Sequence, residues 1–249
     1  MLSISIILVL VGRSAKLFDT HNFRSHILVP LQRMSLLHGS LLSVDCTDSG
    51  VVGTHINCMS ATADAANQFA RWDSCWQCVM ASVGKPLKEN TIVVRVRPDV
   101  TFFEPLTVAH VTPALGLHGC LVTRFRSARG YGLVNSSVFS YHFHNEMCEQ
   151  EGCTGLCKSC LTIDDQLAIM NVSIAPIYFE SKRRHESDPV VSQYTRSKGC
   201  PSGIWPEHTV SRAVAAHGVC VQPLDLQFRL TRDLPQGAPR TNVHVNKKC

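Results

Sequence analysis

Charge is scarce in this chain. Asp, Glu, Lys and Arg together make up 17% of its 249 residues, against about a quarter in an average globular protein. The surface must therefore lean on Ser, Thr, Asn, Gln and His. The net charge of +5 comes from Lys and Arg that are scattered along the chain, which excludes the basic stripe of a nucleic-acid-binding protein. The one compact basic run, Lys182-Arg183-Arg184-His185, is flanked by Glu180 and Glu186 and reads as a solvated loop. No stretch approaches the ~20 apolar residues a membrane-spanning helix needs. The apolar-toned segment 27–42 is interrupted by Pro30, Gln32, Arg33 and His38. Internal repeats and low-complexity tracts are missing. So are the signatures G-x-S-x-G, G-x-x-x-x-G-K-S/T, H-E-x-x-H and the calcium loop. No catalytic set, metal centre or cofactor is expected.

Cysteine, by contrast, is abundant. There are 12: Cys46, Cys58, Cys75, Cys78, Cys120, Cys148, Cys153, Cys157, Cys160, Cys200, Cys220 and Cys249. None precedes residue 46, the number is even, and the last ends the sequence. Four fall in the run Cys148–Cys160, too densely for ordinary core packing. They are either oxidised or metal-bound. A zinc set can be written from Cys153, Cys157, Cys160 and His144. The only other C-x-x-C, Cys75 and Cys78, is far away, and the paired-knuckle spacing is not met. Disulfides are the expected state for all twelve, and with them an oxidising compartment.

Two further features agree with secretion. Ile4–Val11 has the length of a signal-peptide core, and Gly12 and Ser14 bracket a cut before Ala15, although no Lys or Arg precedes the run. A buried first strand is the alternative reading. Asn135-Ser-Ser137 and Asn171-Val-Ser173 are glycosylation sequons, usable only where the Asn faces outward.

Periodicity gives the elements. Ala65, Phe69, Trp72, Trp76, Val79 and Val83 trace one face of a long amphipathic helix over about 61–83, ended by Gly84 and Pro86. Strands are expected at 92–97, 101–110, 117–125, 131–143, 171–179 and 224–230. Two short helices are expected, one opened by Thr162-Ile-Asp-Asp165 and ending near Met170, the other from Pro206 to Gly218. Residues 16–59 read as irregular. Strands and helices do not alternate regularly, so the sequence predicts an α+β fold of mainly antiparallel strands rather than a doubly wound sheet. Residues 1–15 are the signal-peptide candidate. Residues 16–249 form a single disulfide-rich domain, with a subdivision near 145 as the one candidate boundary.

The reading that follows is a secreted or lumenal, non-catalytic protein that binds a protein or glycan. One alternative is an intracellular zinc protein using Cys148–Cys160. The other is a cysteine-dependent hydrolase centred on Cys75, suggested by Asn67-Gln68 ahead of Ser74-Cys75-Trp76. The second requires Cys75 at the positive end of a helix, whereas the pattern puts it inside one. Arg124, Arg126 and Arg129 read as a solvated turn, with anion binding as the lesser alternative. His110, His118, His142 and His144 form a loose histidine set without ligand spacing.

Overall fold

A computed structural model describes residues 4–12, 21–47, 56–57, 68–83, 87–97, 99–116, 119–127, 161–197 and 206–230. In it the apolar run Ile4–Gly12 is a strand, β1, hydrogen-bonded on both sides. Its side chains point alternately into two cores, Ile6, Leu8 and Leu10 into one and Ile7 and Val9 into the other. A strand buried on both faces needs no polar alternation, which is why it reads as an unbroken apolar run.

The chain then leaves the sheet through a helical segment made of α1 (His21–Phe23), a π-helical turn (Arg24–Leu28) and α2 (Val29–His38). It returns as β2 (Gly39–Thr47), parallel to β1. The expectation that 16–59 is irregular is corrected by these elements. Phe23, Ile27, Leu31 and Met34 supply a buried stripe at helical spacing, hidden in the sequence by the Pro and charges between them. After β3 (Ile56–Asn57), parallel to β2, α3 (Gln68–Val83) leads to β4 (Thr91–Val96), which pairs with the far side of β1. In α3, Trp72, Cys75, Trp76 and Val79 are buried, while Gln77 and Met80 are exposed. Residues 61–67 of the predicted helix lie outside the described residues.

The remaining elements are β5 (Val100–Phe102), α4 (Val108–Val111), β6 (Leu121–Ser127), β7 (Leu161–Asn171), α5 (Ala175–Phe179), α6 (Ser181–Ser187), α7 (Pro189–Ser197), α8 (Pro206–Ala216), β8 (Val221–Pro223) and β9 (Phe228–Leu230). The main sheet has strand order β3-β2-β1-β4-β7-β6-β8, and β5 pairs with β9 in a small second sheet. Among the described strands only β7 runs against its neighbours in the main sheet. Helices and a mixed sheet are both present, but the expectation of mainly antiparallel strands is corrected. The first half is a parallel β-α-β unit repeated, the arrangement the irregular-looking 16–59 concealed.

Handedness explains the layers. The β1-to-β2 and β3-to-β4 crossings move in opposite directions across the sheet. Right-handed crossovers must then place their helices on opposite faces. α1 and α2 accordingly pack with β5 and β9 on one face, and α3 packs with α5 and α8 on the other.

Other predicted elements are relocated. The helix expected from Thr162 to Met170 is the strand β7, because Asp164 and Asp165 bind arginines instead of capping. The strand expected at 171–179 is a turn followed by α5, with Pro176 in its first turn, where a missing N–H costs nothing. Within 101–110 only the β5 end is extended, and within 224–230 only β9 is. The strand at 131–143 lies outside the described residues. The Pro206–Gly218 reading agrees with α8, which Gly218 ends at φ +62° with Val219 N–H donating to Val214 O at 3.1 Å, a glycine-terminated helix end.

Cys120 and Cys220 stand one residue before the parallel neighbours β6 and β8, with Cα atoms 4.7 Å apart, and form a disulfide. It links positions 100 residues apart. Replacing both with Ala is expected to lower unfolding free energy by about 2–5 kcal/mol, read as an earlier denaturant midpoint under non-reducing conditions.

Candidate functional site

In an open α/β sheet, ligands bind outside the carboxyl ends of the strands, where successive connections go to opposite sides. Here that switch point lies between β1 and β4. β7 is antiparallel to β4, so its amino-terminal end arrives at the same edge. Among the described residues six charged side chains lie there: Arg95, Arg97 and Asp99 from β4 and the turn after it, Arg124 from β6, and Asp164 and Asp165 from β7.

A β-bulge presents the acids. Between the pairs Thr123↔Ala168 and Phe125↔Ile163, β6 has the single residue Arg124 and β7 has Asp164 to Leu167. Bulges re-aim side chains and gather beside functional sites. This one is pinned from several sides. Thr123 Oγ1 donates to Leu167 O at 2.8 Å and to Asp164 O at 3.2 Å. The Arg97 backbone N–H donates to Gln166 O at 3.0 Å. The Ile163 N–H donates to Ser211 Oγ of α8 at 2.8 Å.

The two carboxylates of the bulge have separate partners. Asp164, fully buried, receives Arg124 Nε at 3.0 Å and Nη2 at 2.7 Å. Arg124 also donates to Gln166 Oε1 at 2.9 Å and to the Phe228 carbonyl, and its guanidinium lies over the Phe228 ring. The expectation of a solvated turn at Arg124 is thus corrected, since it is a buried structural cation.

Asp165 accepts from Arg97 Nη1 at 3.0 Å, while Arg97 Nε and Nη2 grip the two oxygens of Asp99 at 2.9 and 2.8 Å. Burial opposes the charge on Arg97, but Asp165 and Asp99 outweigh it and hold its pKa above the ordinary arginine value. Arg97 and Asp99 are the accessible members, with side chains 20% and 28% exposed, against 5% for Asp165.

Arg95 lies deeper. It is fully buried, its guanidinium 4.4 Å over the Trp72 ring. Its Nε and Nη1 donate no hydrogen bond. Trp72 stacks in turn on Tyr178, ring centroids 5.4 Å apart. Burial pushes the Tyr178 hydroxyl up to about 12; Arg95 pulls it down, and Asp165 and Asp164 push it up. A guanidinium enclosed with so few hydrogen bonds is costly.

The candidate residues of the sequence fall elsewhere. Cys75 and Cys78 are both disulfide-bonded, and Cys75 is buried inside α3. A hydrolase nucleophile at Cys75 has no thiolate in this state and no helix start to activate it. Asn171 is buried. Its Nδ2 donates to Glu89 O at 2.7 Å and Gly116 O at 3.0 Å, and its Oδ1 accepts from Ser173. That sequon is corrected to a structural amide closing the turn after β7. Cys46 lies in β2, with its side chain outside the described residues. Asn135, Cys58, Cys148, Cys153, Cys157, Cys160, Cys200 and Cys249 lie outside them altogether, as do His118, His142 and His144. His110 takes a structural role, accepting from Thr107 N–H and reaching Asp225 O at 3.0 Å. Among the described residues no three of His, Cys, Asp or Glu converge as a metal-binding group, and no helix is long and apolar enough to cross a membrane.

Of these six charged residues the sequence drew a functional alternative only for Arg124, as an anion contact. The available signal was Asp164-Asp165-Gln166 inside an otherwise apolar segment, since buried acids in a strand need a reason. No protein-family model and no curated protein matches this chain.

Proposed function

We propose that this protein binds a nucleoside diphosphate sugar at the carboxyl ends of β1 and β4 and transfers the sugar to an acceptor. The observation that carries the reading is the strand order β3-β2-β1-β4 with arginine-paired carboxylates delivered to its switch point by the antiparallel strand β7. The β1-to-β4 half has the strand order in which mononucleotide-binding units are built, which supports the reading.

Two other nucleotide chemistries fit the residues less well. Hydride transfer from a dinucleotide uses a glycine-rich turn after the first strand. Here Gly12-Arg13-Ser14-Ala15 holds one glycine. Phosphoryl transfer on a P-loop uses G-x-x-x-x-G-K-S/T, which the chain lacks. Sugar transfer asks for what the edge contains: a carboxylate to take a proton and a cation beside the departing diphosphate. The bond from the anomeric carbon to the diphosphate oxygen breaks, and the diphosphate leaves with the electron pair. The acceptor oxygen bonds to that carbon, and its proton passes to a carboxylate. Asp165, fixed by Arg97, is the residue assigned that role. The expected protein or glycan partner becomes the acceptor, and oxidised Cys75, Cys78, Cys120 and Cys220 support a lumenal or extracellular setting.

Asp165→Asn keeps the size and one hydrogen-bond acceptor of the side chain. It is expected to lower kcat by roughly 10²–10⁴-fold while leaving nucleotide affinity within a few-fold. Transfer or hydrolysis of a panel of sugar nucleotides, followed by release of the nucleoside diphosphate, measures it. A non-catalytic binder is the second reading, favoured by the mutual pairing of the acids and arginines. Tight nucleotide binding without turnover on any acceptor would select it.

A further inference from the structure

Among the described residues three guanidiniums lie at the edge, and they differ in what they can offer a ligand. Arg95 is enclosed between β4 and Trp72. Arg124 is committed to Asp164, Gln166 and Phe228. Arg97 alone among the three combines exposure with spare donors. Its Nε, one N–H of Nη2 and one of Nη1 are used on Asp99 and Asp165. A guanidinium carries five N–H donors, so each Nη keeps one for a further oxygen.

The carboxylates tell the same story from the other side. Asp99 spends both oxygens on Arg97, and Asp165 spends Oδ2 on it. Asp164 spends Oδ2 on two nitrogens of Arg124. A divalent cation entering between Asp99 and Asp165 would have to break a two-pronged ion pair and a third charge-assisted bond. The position between those two acids is already filled by a positive charge.

We propose that Arg97 is the site's own counter-charge for the donor's diphosphate, so that nucleoside diphosphates bind here without a divalent metal ion. The inference rests on the sugar-nucleotide reading. Its geometry is that of a planar fork, bidentate on Asp99, turning its outer edge to phosphate oxygens, a task guanidinium performs better than ammonium. Arg97 stays fully charged across the working pH range, because both neighbouring acids favour its protonated form.

Calorimetric titration of the full chain with UDP, GDP, ADP and CDP, each in EDTA and again with manganese, tests it. At least one nucleotide is expected to bind in EDTA, with manganese changing the affinity by less than about threefold. Arg97→Ala is expected to weaken binding in EDTA by about 10- to 100-fold, the loss of one to two charge-assisted hydrogen bonds. Manganese should then restore part of it, because Asp99 and Asp165 are released to a metal. Binding by the unaltered protein only when manganese is present overturns the inference and leaves the sugar-nucleotide reading standing. Absence of binding under both conditions overturns both. Should Arg97→Ala not fold, Arg97→Lys decides. Metal-free binding kept within about tenfold supports the charge argument, and its abolition in a folded Arg97→Lys protein rejects it.

Discussion

A chain that begins at Ala15 is expected not to fold. The cut removes β1, the strand between β2 and β4, and with it, among the described strands, the link between β3-β2 and the rest of the main sheet. Five consecutive buried side chains go, Ile6 to Leu10. At about 1.5–3 kcal/mol each, they contribute roughly 8–15 kcal/mol, as much as the whole net stability of an ordinary domain. The backbone loss is as serious, because β2 and β4 would each face the gap with unpaired N–H and C=O groups. Circular dichroism and denaturant titration of residues 15–249 beside the full chain measure this. A cooperative transition of comparable midpoint in the shortened chain would show that the apolar run is dispensable, as a cleaved leader is. Loss of the transition would show that folding requires Ile4–Gly12.

That run shows where sequence reading reached its limit. A signal-peptide core and a two-faced buried strand have the same composition, and what separates them is β2 and β4 lying alongside, which no local pattern contains. The same cause hid the fold class. β4 reads correctly as a strand over 92–97, yet its six residues Thr91–Val96 are all buried, so its alternation did not mark a wet face. The antiparallel expectation came from strands and helices that do not alternate regularly along the chain, because the helices between β1 and β2 went unread. Helix ends were more legible, because Pro206 and Gly218 act through their own backbone preferences rather than through distant partners.

The charged edge failed for a different reason. Thr162-Ile-Asp-Asp165 matches a helix start, and it takes partners brought in from distant elements, Arg97 of the turn after β4 and Thr123 and Arg124 of β6, to make those acids bulge residues. Of the cysteines, the disulfide of Cys120 with Cys220 could not be inferred from spacing, since it depends on β6 and β8 being parallel neighbours.

Arg124→Ala is expected to cost about 3–5 kcal/mol, the penalty for removing one partner of a buried ion pair. The magnitude follows from where Asp164 sits. Its carboxylate is fully buried, so water cannot replace the two guanidinium bonds that disappear. Gln166 and the Phe228 carbonyl lose donors at the same time. Chemical denaturation gives the cost. A change below about 1 kcal/mol, the scale of an exposed pair, would mean that Arg124 is solvated and the bulge is held by something else. The double variant Arg124→Met with Asp164→Leu separates stability from function. Replacing a buried ion pair with apolar groups of similar size is often neutral or stabilising, so this protein should recover most of the lost free energy. Its nucleotide binding should not recover, because Asp164 Oδ1 also receives the Gln166 N–H at 3.2 Å and so helps set the course of the backbone that carries Asp165. Recovery of stability without recovery of binding would identify the Arg124–Asp164 pair as a device for aiming Asp165 at Arg97, maintained for geometry at the switch point and not for the strength of the core.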